Sequence, residues 1–124
     1  MLCNTAMNSP LSNSDIPILA KLGEAYKSWH LYIQHVPKIT RFTLGAKIDN
    51  LFTECIHLAL LASHQPREKK SETIELLNNR FDSLKFFLKL LWEVKAINTN
   101  VFTQISIQLA EVGRMIGGWM KHSR

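Results

Sequence analysis

The sequence predicts an all-α protein, an up-down-up-down antiparallel four-helix bundle. Three observations carry that expectation. Four stretches place apolar residues at alternating steps of three and four, the spacing of one helical face. A proline or a capping residue punctuates the short connections between them. Five glycines and four prolines in 124 residues, with no sustained period-two alternation, exclude a turn-rich sandwich or barrel. A composition of 46% hydrophobic and 20% charged residues is that of one globular domain.

Residues 1–14, rich in Ser and Asn around Pro10, cannot bury a face, and the sequence predicts a disordered tail there and a bundle over 15–124. Ser14 or Asp15 can cap the first helix, and Pro17 suits its first turn. Its seam is Leu19, Leu22, Tyr26, Trp29, Ile33 and Val36, and Pro37 stops it. The second helix begins near Thr40 with the seam Leu44, Ile48, Leu51, Cys55, Leu58 and Ala62. Pro66 and the run Arg67, Glu68, Lys69, Lys70 read as a connection. Ser71 and the acidic turn Glu72 to Glu75 open the third helix, where the dipole favours negative charge. Its seam is Ile74, Leu77, Phe81, Leu84, Leu88 and Leu91. Asn98 or Thr99 caps the fourth, with the seam Phe102, Ile105, Leu109, Val112, Ile116 and Trp119.

These seams leave apolar residues over. Helix three also carries Phe86, Phe87, Leu90, Trp92 and Val94, helix two Phe52 and Ile56, and helix four Ile107 and Met115. Either the core is wide or helix three packs on two sides, the second at a subunit interface. Gly113, Gly117 and Gly118 each cost about 1 kcal/mol inside a helix relative to Ala, so close packing of helix four is expected there. Trp119 just beyond them then belongs to the same packing and assembly face.

The sequence supports no enzyme. Glu54 and His57 have the E-x-x-H spacing, but a diiron bundle needs two such motifs and two further Glu residues, and no other histidine follows a Glu by three positions. A solvated helix edge accounts for the pair, and no metal or cofactor is expected. Cys55 occupies the seam, where a thiol behaves as a small hydrophobe. The first fourteen residues lack the charged start and apolar run of a signal peptide, and Cys55 to Ala62 is too short to span a bilayer. With no disulfide framework legible, a cytoplasmic location is expected and no membrane partner.

Fifteen basic and ten acidic side chains give a net charge of +5. Residues 85–124 hold six basic residues against two acidic ones. Lys85 and Lys89 share one stripe of helix three, and Arg114 and Lys121 one stripe of helix four, so the two stripes can lie side by side. Lys38, Arg41 and Lys47 form a second cluster at the start of helix two. A solvated face explains any one of these charges. As a set they suit nucleic acid or an acidic partner.

Residues 110–119, AEVGRMIGGW, resemble the helix-four signature of the Avd proteins, the accessory variability determinants of diversity-generating retroelements, through Glu111, Gly113, Arg114, Gly117 and Trp119. RFTLGAKIDN at 41–50, FDSLKFFLKLL at 81–91 and the capped turn at Asn98 are similar to the family in order and spacing, so the likeness spans about residues 16–121. Proteins encoded in intervening sequences of large ribosomal RNA share much of it, and such a protein, binding nucleic acid without a polymerase partner, is the alternative.

The resemblance implies a basic bundle that assembles into a homopentameric barrel. It further implies binding of the retroelement reverse transcriptase and of RNA or DNA, in support of the mutagenic cDNA synthesis of retrohoming, with no catalysis of its own. Lys85 and Lys89 match positions where the family tends to present basic residues, often Arg; Lys keeps the charge and loses the bidentate fork. Arg114 lies within the matching signature, either as a structural partner of Glu111 or a neighbouring chain, or as a contact for phosphate.

Overall fold

The computed structural model describes residues 16–123, all helical apart from short connections. Helix α1 is Ile16–Ile33, α2 is Ala46–His64, α3 is Arg67–Glu93 and α4 is Thr99–Ser123. A turn of α-helix, Lys38–Thr40, and a π-helical segment, Arg41–Gly45, lead into α2 without a break. The four helices form an all-α bundle. The expected tail and the caps at Ser14 and Asp15 lie outside the described residues.

Every seam residue expected on α3 is buried, as are Ile48, Leu51, Cys55, Leu58 and Ala62 on α2 and Ile105, Leu109, Val112 and Ile116 on α4. Leu44, Phe102 and Trp119 at the ends are half-buried. On α1 the core takes Ile18, Leu22, Ala25 and Trp29, while Leu19 and Tyr26 are half-buried, so the buried face is rotated from the expected one. Tyr26 is held at the margin of the core by its bond to Asp49, and Ala25 takes the core position. Phe52, left over in the sequence pattern, is fully buried beneath Trp29, with ring centroids 6.1 Å apart.

Two boundaries differ from expectation. α1 ends at Ile33, and bonds from His35 N–H to the Tyr32 carbonyl and from Val36 N–H to that of Ile33 turn the chain before Pro37. α3 begins at Arg67, so Lys69 and Lys70 lie in its first turns rather than in a connection. Pro66 stands at its N-cap, where an extended backbone suits proline, and its carbonyl accepts from the Lys69 and Lys70 amides. At the other end of α3, Ala96 N–H reaches the Leu91 carbonyl and Lys95 N–H that of Trp92, a Schellman closure with Lys95 at φ 65°. Asn98 Oδ1 then accepts from Val101 N–H at 2.8 Å and caps α4.

Two contacts fix α1 on the second helix. Asp49 Oδ1 accepts from Tyr26 Oη at 2.8 Å and from Trp29 Nε1 at 3.2 Å. Gly45 is buried, and a Cβ there would meet Ile33 Cδ1 at 2.7 Å and the Thr40 carbonyl oxygen at 3.4 Å, so glycine sets the closeness of approach.

Replacing Asp49 by Ala strips the partner from a fully buried indole N–H and from a half-buried phenol. A bond to a charged acceptor contributes about 1.5–3 kcal/mol, and an orphaned buried donor adds to the cost. Asp49→Ala is expected to lower unfolding free energy by about 2–4 kcal/mol in urea titrations followed by tryptophan fluorescence.

Candidate nucleic-acid and partner interface

The α3–α4 seam is fixed by two aromatic contacts. The Phe81 ring edge lies 3.3 Å from where a Cβ on Gly113 would stand, and Trp92 stacks on Phe102 with centroids 4.6 Å apart and planes 5° from parallel. These pairs place Lys85 level with Leu109 and Lys89 level with Ile105. Lys85 Nζ stands 5.1 Å from the Phe81 ring centroid, at the edge of this seam. Arg114 then lies about 8 Å further along the axis from Lys85, and Lys121 about 10 Å beyond Arg114, at 1.5 Å per residue. The two stripes are therefore offset along the axis, where helical spacing alone left room for them side by side.

The cations of these stripes differ in their engagement. Lys85 pairs with Asp82 at 3.5 Å, an exposed i,i+3 contact of little strength. Lys89, Arg114 and Lys121 are exposed and form no ion pair among the described residues. Glu111, one of the partners considered for Arg114, is bound instead by Lys21 of α1 at 3.3 Å. At the start of the second helix, Lys38 Nζ lies 5.9 Å from the Phe42 ring and Lys47 Nζ 5.6 Å from that of Phe87 on α3. Arg41 Nε is buried without a hydrogen-bond partner.

The glycines divide. Gly113 packs on Phe81, as close packing of α4 requires. Gly117 and Gly118 face open space, with nothing among the described residues inside 4 Å of an added Cβ, so the close neighbour expected there is not among them. Trp119 is half-buried, with Lys70 Nζ 5.9 Å from its ring. It lines a cavity of about 440 Å³ with Pro17, Ile18, Met115, Gly118 and His122.

The E-x-x-H pair does not face a common ligand. Glu54 Oε2 accepts from Arg80 Nε at 2.9 Å, tying α2 to α3, and His57 is exposed. Among the described residues no three His, Cys, Asp or Glu side chains gather where they could hold a metal. Burial pushes the Cys55 thiol up to about 12, with the Glu54 charge adding to the shift and Arg80 opposing it. A thiol held protonated in this way is no nucleophile near neutral pH. No described helix is long and apolar enough to cross a membrane.

Sequence reasoning passed over Asp49, Gly45, and the exposed pair Ile39 and Phe42. Asp49 acts on residues twenty or more positions away, which helical spacing does not encode. Gly45 carried a usable signal, as a glycine just inside a helix next to an apolar helix end.

By fold and surface this is a four-helix bundle with exposed cations on α3 and α4. The family model described as bAvd-like matches residues 18–123, and the chain belongs to that family, whose members are accessory proteins of non-catalytic type. No curated protein and no solved structure matches the chain.

Gly113→Leu drives a side chain into the Phe81 ring and is expected to cost about 1–3 kcal/mol by chemical denaturation. Gly117→Ala meets nothing among the described residues. It is expected to leave the stability of the isolated fold unchanged or to raise it by up to about 1 kcal/mol.

Proposed function

We propose that this chain is the accessory subunit of a diversity-generating retroelement. In this reading it binds the element's reverse transcriptase and its RNA or DNA in the cytoplasm, and supports mutagenic cDNA synthesis without a cofactor or catalysis of its own. What supports the reading is the set of exposed cations Lys89, Lys85, Arg114 and Lys121 in a chain of the bAvd-like family. The set extends for about 24 Å along the axes of α3 and α4, a span that meets several successive phosphates. Its cations carry few competing carboxylates, and Lys and Arg side chains in this setting read backbone charge rather than base edges.

The protomer is an up-down-up-down antiparallel bundle in this reading, and five of them form a homopentameric barrel. Phe86 and Ile107, both exposed in the single chain, and the open face at Gly117 beside Trp119 supply surface for subunit contact. Five copies at +5 each would carry about +25, a field strong enough to gather a polyanion and raise its rate of encounter. Light scattering at micromolar concentration is expected to return about 70 kDa, five times the 14.2 kDa of one chain; a mass near that of one chain would refute the assembly.

Nucleic-acid binding is expected to weaken steeply with salt and to depend little on base sequence. Lys85→Glu with Lys89→Glu should reduce affinity for a 30-nucleotide RNA at least tenfold. The slope of log affinity against log salt should flatten by about one for each phosphate that is no longer neutralised. Helicity and mass should stay as they are, because both side chains are exposed. Lys27→Glu with Lys69→Glu makes the same charge change at exposed positions on α1 and on the α2 side of α3, and should cost much less. Equal weakening by the two pairs would remove the seam as the site.

A further inference from the structure

The corner where α1 gives way to the second helix has features that backbone-charge binding does not use. Ile39 is 78% exposed and Phe42 67%, the two most exposed large apolar side chains among the described residues. Three positions apart, they share one face of the turn. Between them Arg41 turns inward, its Nε buried and unpartnered. Arg41 and Phe42 line a groove of about 320 Å³ with Tyr26, His30, Ile33 and Asp49. The backbone here is the π-helical segment Arg41–Gly45, a distortion that recurs at functional sites.

Charge separates this corner from the rest of the surface. Residues 25–53 contain Lys27, Lys38, Arg41 and Lys47 against one carboxylate, Asp49, and that carboxylate is engaged by Tyr26 and Trp29. An apolar face edged by uncompensated cations complements a segment of opposite pattern.

We propose that this corner docks a segment of the reverse transcriptase that presents apolar side chains flanked by Asp or Glu. The apolar residues would cover Ile39 and Phe42, and a carboxylate would meet Arg41. The inference rests on the proposal that the polymerase is a partner; what it adds is the place and the chemistry. A protein segment fits better than a nucleic acid. Ile39 has no ring on which a base could stack, and Lys38 already stands over Phe42. The groove beside them is lined by apolar and aromatic side chains as well as by charge, which is the anatomy of an anchored protein contact.

The test uses the full chain, the purified reverse transcriptase of the proposed retroelement, and a 30-nucleotide RNA. Ile39→Ser with Phe42→Ser leaves the net charge untouched and should weaken binding of the polymerase at least tenfold. RNA affinity should stay within about twofold, and the mass by light scattering and the helicity should not change. Arg41→Gln, which keeps both apolar side chains, should weaken polymerase binding by about tenfold and provides the same test should the double variant lose helicity. Polymerase binding as strong as that of the unmodified chain in both variants would overturn the proposal. So would a fall in mass, which would make the corner a contact between copies of this chain, or a parallel drop in RNA affinity, which would assign it to nucleic acid. If the unmodified chain fails to bind the polymerase, the partner reading itself falls and this proposal falls with it.

Discussion

One carboxylate holds α1 in its place. Asp49 on α2 accepts from the hydroxyl of Tyr26 and the indole N–H of Trp29 on the same oxygen, so two adjacent turns of α1 are pinned to one point. Around that point the aromatic rings close up: Tyr26 meets Phe52 edge-on with centroids 5.7 Å apart, and Trp29 lies over the same ring. Burial, and then the bond to Asp49 and its charge, raise the Tyr26 phenol above its ordinary value, so the donor stays protonated across the physiological range. Further along, Gly45 lets Ile33 approach the backbone of the π-helical segment. The orientation of α1 therefore depends on polar geometry that is satisfied only when the apolar cluster has also formed.

This explains why three helices were legible in the sequence and one was out of phase. α2, α3 and α4 each bury a single apolar stripe, and the steps of three and four read that stripe directly. On α1 the polar tether holds Tyr26 at the margin, so Ala25 fills the core where spacing favoured Tyr26. Small residues such as Ala25 are weak marks in a hydrophobic pattern, although close helix contacts favour them. The start of α3 was hidden by composition. Arg67, Glu68, Lys69 and Lys70 look like a solvated linker, yet the fixed backbone of Pro66 starts a helix at once.

The basic residues of α3 and α4 were legible as a set of charges and not as an arrangement. Spacing within one helix placed Lys85 with Lys89, and Arg114 with Lys121. The offset between the two pairs depends on where Phe81 meets Gly113, a contact thirty-two residues apart in sequence. Pairing was equally invisible. Glu111 lies three positions before Arg114, an ordinary helical partner, yet Lys21 reaches it from α1. Gly113 and Gly117 look alike in sequence and differ in the fold, one against a ring and one against open space. A glycine pattern identifies where a backbone is bare and leaves open what covers it.

The π-helical segment has a consequence for how this chain tolerates change in length. A π-turn holds one residue more than the α-helix it interrupts, so Arg41–Gly45 is in effect a one-residue insertion absorbed within a continuous rod. Deleting a single residue there would let the rod close into regular α-helix with little change of phase, because one fewer α-helical residue turns the chain about as far as the wider π-turn does. Ile39 would keep the solvent face it now occupies, and the rod beyond Gly45, with Asp49 and the buried stripe of α2, would keep its own. The corner and the core thus share one phase along the helix, and a change of a single codon at the π-turn alters its length while leaving both aimed as they are.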